Sequence, residues 1–95
     1  MKLSDVATIK TNFPEADFWI VRRGSLNAVG KPSYEFYAES IGVKVIRKDI
    51  IFPRFLYYCF LNLHAQGKWD SLAIGTLKLV SIRVSDVSSI VLRPR

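Results

Sequence analysis

The stretch from Pro53 to Gln66 constrains the fold more than any other part of this sequence. Pro53 suits a first helical position, where its missing N–H costs nothing, and Gly67 suits the left-handed residue just past a helix end. About fourteen residues at 1.5 Å each make a rod of roughly 20 Å. Phe55, Leu56, Tyr57, Tyr58, Phe60, Leu61 and Leu63 cover nearly its whole circumference. A helix of that kind is buried on most sides, or it packs against a partner.

The other elements are short. Leu3 to Ile9 reads as one helical turn running into an extended segment, and Asn12-Phe13-Pro14-Glu15 as a turn. Phe18 to Val21 is an aromatic and β-branched run, predicted to be a strand and closed by Arg22-Arg23-Gly24-Ser25. Asn27 to Ser33 has the punctuation of an exposed loop. Tyr34 to Ala38 and Ile41 to Ile46 read as strands, joined by Glu39-Ser40 as a hairpin. In the second of them, Ile41, Val43 and Val45 fall on one face. After the helix, Trp69 to Leu72 reads as a turn and Leu79 to Val84 as a strand. Ser85-Asp86-Val87 reads as a serine-capped turn, and Ile90 to Leu92 as a last short strand. The expected class is α+β: a small mixed or antiparallel sheet, one main buried helix over about 53–66, and short helical turns. Residues 1–95 form one domain in this reading.

Half of the chain is apolar and 13% is aromatic, which excludes intrinsic disorder. The formal net charge is +6, with eight Lys/Arg against five Asp/Glu up to Lys48 and six against three beyond it. An excess spread so evenly suits a nucleic-acid backbone, another acidic partner or plain solubility. The single cysteine, Cys59, forms no disulfide within the chain and reads as a buried structural thiol. Phe55 to Leu61, the longest apolar run, is far short of the ~20 residues of a membrane span. No signal-peptide core opens the sequence, so no membrane association and a cytoplasmic, reducing compartment are expected.

An enzyme's inventory is missing. His64 is the one histidine and sits at a helix end, where a bond to backbone or solvent is its ordinary role. Cys59 and His64 lie about 140° apart around a helix, too far for a nucleophile and its base. One histidine and one cysteine cannot ligate a structural zinc, and Glu35 and Glu39 are the only carboxylates at suggestive spacing. No phosphate loop is present, since Gly24 and Gly30 lack the Lys-Ser/Thr ending. No catalysis, metal or cofactor is expected.

Four stretches, in order, resemble the target-recognition domain of type I restriction–modification specificity subunits. Lys2 to Lys10 is similar to the opening Lys-Leu-Gly-Asp-hydrophobic-Ala phrase of those domains. Ile20 to Lys31 resembles a strand ending in an Arg-x-Gly-Ser turn followed by Val-Gly-Lys/Arg. Pro53 to Phe60 resembles the Pro-x-Phe-Leu-Tyr-Tyr helix. Gly75-Thr76 and Ser81 to Ile90 resemble the closing Gly-Thr loop, strand and Leu-x-x-Ile phrase.

In that family the domain reads DNA bases and leaves methylation and cleavage to partner subunits. The resemblance therefore implies a prokaryotic, non-catalytic DNA-binding module. Arg22, Arg23, Ser25, Asn27 and Lys31 would line one edge of its binding face, and Lys78 and Arg83 another. Those residue types fit the role: Arg grips guanine bidentately, Asn pairs with adenine and Lys serves phosphates. The chain departs from the pattern between Lys10 and Phe18, which is abbreviated. It departs again where Leu77 and Lys78 replace a Gln, and the family's spacer helix is expected to be absent after Arg95. The implied protein is a shortened, stand-alone module with double-stranded DNA as partner, and a second copy or restriction–modification subunits as further partners. The competing expectation is a protein-interaction or self-associating module that keeps the fold without binding DNA. The broad apolar helix motivates it.

Overall fold

The computed structural model describes residues 1–75 and 79–92. Leu3–Asp5 make one 3-10 turn, capped by the Asp5 carboxylate accepting the Lys2 N–H at 2.9 Å, and lead into β1 (Ala7–Thr11). Then follow β2 (Phe18–Ile20), β3 (Arg23–Gly24), β4 (Pro32–Ser33) and β5 (Ile41–Val45). They are succeeded by α1 (Pro53–Ala65), β6 (Ile74–Gly75), β7 (Val80–Ser81) and α2 (Val84–Ser88). The strands form two sheets, ordered β1-β5-β2-β4 and β3-β7-β6. All of their pairings are antiparallel. The α+β class is as expected.

β5 is the spine of the larger sheet, with β1 on one edge and β2 on the other. Its Ile41, Val43 and Val45 alternate onto one face and are fully buried. Gly42 points the other way. A Cβ there would lie 2.8 Å from that of Phe13 and 2.9 Å from that of Ala16, because loop 12–17 is folded onto the sheet. The loop is held by Trp19 Nε1 donating to the Phe13 carbonyl (2.8 Å) and by Val45 N–H donating to Asp17 (2.8 Å).

The helix forms where the sequence places it, with Pro53 in its first turn. Its burial is narrower than the composition implies. Leu56 and Phe60, four apart, are its only fully buried residues, whereas Phe55 and Tyr58 are each 54% exposed and Phe52, just before it, 71%. The sheet beneath is small, so a straight rod meets it along one stripe. Phe18 is wedged there, 5.6 Å from the rings of both Tyr57 and Phe60.

The end of α1 places the next large side chain. Gly67 is left-handed (φ 72°), its N–H donates to His64 O, and Lys68 N–H donates to Leu63 O, both at 3.1 Å. This pair of bonds is the Schellman pattern, which satisfies two end carbonyls and reverses the chain. Trp69 is thereby turned under the helix and stacks on Phe60, with ring centroids 6.1 Å apart and planes within 6°. The other side of the indole meets Gly30, which has φ +86° and no room for a Cβ before the Trp69 ring. Gly30 N–H donates to Val21 O (2.8 Å) and Val21 N–H donates to Lys31 O (3.0 Å). Burying an indole of this size contributes about 4–6 kcal/mol. Trp69 Nε1 finds no acceptor among the described residues, which costs about 1–3 kcal/mol. Burial wins.

Several short elements differ from the sequence expectation. Tyr34 to Ala38 is not a strand, and no hairpin joins it to β5, because both edges of β5 are already paired with β1 and β2. The aromatic residues there act as anchors instead. Tyr34 stacks on Tyr57 (4.2 Å, 15°), and Phe36 leans on Trp19 (5.8 Å). The Ser33 hydroxyl also accepts the Glu35 N–H at 3.0 Å, diverting backbone from a ladder. The strand expected over Leu79 to Val84 shrinks to β7. Arg83 leaves the ladder because its N–H donates to the Asp86 carboxylate (2.9 Å), so α2 starts from Arg83 at the N-cap position with Asp86 as the capping group, where a serine cap was expected. The expected last strand is a single bridge between Lys2 and Val91. Cys59 is half-buried, short of the buried position expected for it.

Gly30→Ala should lower stability by about 2–5 kcal/mol, since it adds left-handed strain to a clash with a packed indole. Gly67→Ala adds mainly strain, its nearest neighbour being the flexible Asp70 carboxylate at 3.0 Å, and should cost about 1 kcal/mol. Urea unfolding of both variants measures the difference. Equal losses would mean that the Trp69 contact contributes nothing beyond backbone strain.

Candidate nucleic-acid interface

The loop from Val21 to Lys31 carries five of the seven residues expected to bind. Its base is closed by the Val21–Gly30 and Val21–Lys31 bonds. Its middle is a turn in which the Ala28 and Val29 N–H groups donate to Ser25 O (3.0 and 3.1 Å). The first arm is gripped by the smaller sheet. Arg23 pairs with Ser81 across the β3–β7 ladder, and Ile82 N–H donates to Arg22 O at 2.9 Å. A backbone held at both ends leaves Arg22 and Arg23 as exposed side chains on a fixed edge.

Both arginines open onto a cleft of about 230 Å³ with Glu39 and Ser81. An adjoining hollow of about 400 Å³ adds Val21, Tyr37, Ala38 and Ser40. Neither guanidinium has an ion-pair partner among the described residues. Two long cations at the rim of an open cleft are free to reach acceptors on a ligand, which is what phosphate oxygens and guanine edges require.

The remaining expected residues are distributed differently. Ser25 and Asn27 are exposed, and Asn27 turns toward the end of α1, where His64 Nε2 donates to its backbone carbonyl at 2.6 Å. Asn27 lines a separate hollow of about 400 Å³ with Leu26, His64, Trp69 and Asp70. Lys31 is exposed just beyond Gly30. Arg83 follows β7, but its guanidinium is bidentate on Asp86, at 3.1 and 3.2 Å. Burial acts to raise the Asp86 carboxyl. The hydrogen bonds and charge of Arg83 outweigh it and hold the group below the usual carboxylate range. Arg83 is therefore the ion-pair partner of Asp86 at the start of α2, with its charge already answered. Lys78 lies outside the described residues, as do its neighbours Thr76 and Leu77.

Tyr37, Glu39 and Ser81 are the cleft residues outside the expected binding set, Glu39 being marked in the sequence only by its spacing from Glu35. Glu39 and Tyr37 belong to the expected hairpin, which does not form. Ser81 lay inside one of the four resembling stretches and became visible as a lining residue only once β7 was paired with β3.

A second surface has a different character. Tyr34, 58% exposed, lies beside Pro53, Arg54 and Tyr58 around a hollow of about 440 Å³. Phe52 and Phe55 are also exposed at the start of α1. Among the described residues no three His, Cys, Asp or Glu side chains gather as metal ligands, and no helix is long and apolar enough to cross a membrane.

No protein-family model matches this chain, and no curated protein matches it. Among solved structures it is similar to the crystal structure of a type I restriction–modification system S subunit from M. genitalium, with a TM-score of 0.70 and 14% identity. The likeness covers 95% of this chain and 32% of the S subunit, so the chain spans about a third of that structure. The fold of this chain is one that also occurs within a type I restriction–modification S subunit.

Proposed function

We propose that this chain is a non-catalytic DNA-binding module, a counterpart of a target-recognition domain. The observation that carries the reading is the pair Arg22 and Arg23, exposed and without ion-pair partners among the described residues, on a loop edge locked by β7 and by the Gly30–Trp69 contact. The overall charge of +6 favours a polyanion. The S-subunit fold supports double-stranded DNA as the polyanion, and restriction–modification subunits as the assembly such a module would serve. Lys31 adds a phosphate contact near the base of the loop, and Ser25 and Asn27 extend the surface toward the end of α1.

Each phosphate contact contributes a slope of roughly −0.9 to log affinity against log salt. Three such contacts, from Arg22, Arg23 and Lys31, weaken binding about fortyfold between about 50 and 200 mM salt. Fluorescence anisotropy with a mixed-sequence duplex should show that loss. Arg22→Ala combined with Arg23→Ala should reduce the slope by about two. Absence of binding at the lower salt would refute the reading.

A second reading, self-association without DNA, is favoured by the aromatic surface. The four rings of Tyr34, Phe52, Phe55 and Tyr58 expose roughly 450–500 Å², toward the upper end of the largest patch found on ordinary monomers. That is still short of the ~800 Å² per partner of a stable interface, which is why it ranks second. It predicts a dimer by sedimentation equilibrium that is insensitive to salt and dissociates on Phe52→Ser with Phe55→Ser. A wild-type chain that stays monomeric at high micromolar concentration would exclude it.

A further inference from the structure

We propose that Glu39 is a specificity-determining residue that accepts a hydrogen bond from the exocyclic amine of cytosine, selecting a C·G pair in the DNA this chain binds. The inference rests on the DNA-binding reading and deepens it.

Glu39 stands in the same cleft as Arg22, Arg23 and Ser81, and it is exposed with no hydrogen-bond or ion-pair partner among the described residues. Its backbone is nonetheless fixed. Ser40 N–H donates to Tyr37 O at 3.0 Å, closing a turn with Glu39 inside it. Asn12 N–H donates to Ala38 O at 2.9 Å. Ser40 is buried, and Phe36 is seated on Trp19. The nearby Tyr37 hydroxyl is committed to Glu35, at 2.9 Å, and does not compete for Glu39.

A carboxylate that shares a cleft with two arginines is unfavourable on a surface that meets only phosphates, because it repels the ligand those arginines attract. It is suited to a base edge. In the major groove, guanine offers two acceptors that match an arginine, and cytosine offers an amine donor that matches a carboxylate. An acceptor held among donors within one cleft mirrors the donor and acceptor pattern of a C·G pair. Ser81, with a hydroxyl that can donate or accept, is compatible with either base.

The test is selection of bound duplexes from a randomised library by the intact chain and by its Glu39→Ala and Glu39→Gln variants, all at one salt concentration. Glu39 packs against nothing in the core, so unchanged thermal unfolding checks that both variants fold. The wild-type chain should enrich C·G at one position, and Glu39→Ala should lose that enrichment by about tenfold or more with the salt slope unchanged. If Glu39→Ala binds every sequence more tightly and keeps the same preference, Glu39 is only a repulsive charge and the inference fails while DNA binding stands. If the wild-type chain binds no duplex at all, both fail together.

Discussion

The contact between the Trp69 indole and the bare backbone of Gly30 joins the main helix to the loop that carries Arg22 and Arg23. On one side of the indole lies Phe60, and through it the buried stripe of α1 against Phe18. On the other lies the loop whose first arm holds Arg22 and Arg23. Only glycine satisfies both demands at position 30, a left-handed φ and the absence of a Cβ. A packed aromatic on a glycine transmits position well, because neither surface can move by a fraction of an ångström without losing contact. His64 reinforces the same junction through its bond to Asn27 O.

From that junction the cleft is assembled by two restraints. The β3–β7 ladder sets the height of Arg23 against Ser81. The turn closed by Ser40 and Tyr37 sets Glu39, and that turn is itself tied to the end of β1 through Asn12. The side chains facing the cleft remain solvated, but the backbone of Arg22, Arg23 and Ser81 is hydrogen-bonded, as are the residues on either side of Glu39. Such an arrangement lowers the ordering cost of engaging a ligand without committing the charges to each other. Arg83 is the contrasting case. Its guanidinium is spent on Asp86, where it starts α2 and keeps a half-buried carboxylate ionised.

Much of the fold was legible in local chemistry. The helix was marked by Pro53 and Gly67, β5 by the alternation of Ile41, Val43 and Val45, and β2 by its aromatic and β-branched run. Residues 34–38 misled because aromatic residues suit a strand and an anchor equally. Which they become depended on whether β5 had a free edge, and that is a long-range fact. The chain after Val80 misled because Asp86 captures Arg83 three residues earlier, a local bond that overrides an apolar pattern. The arginine pair was legible through the Arg-x-Gly-Ser resemblance. Glu39 and Ser81 were not, since nothing in the order of residues places position 39 beside position 22 or position 81.

The central claim is that ligand binding is centred on the cleft of Arg22 and Arg23 and leaves the aromatic face of α1 untouched. The most direct measurement is a titration of the isotopically labelled chain with a short mixed-sequence duplex, followed amide by amide by NMR. Shifts should concentrate at Arg22 to Ser25, Lys31, Ala38 to Ser40 and Ser81, with Phe52 to Tyr58 unmoved. Shifts confined to Phe52 to Tyr58, with the Arg22–Arg23 loop silent, would contradict the claim and place the working surface on the helix.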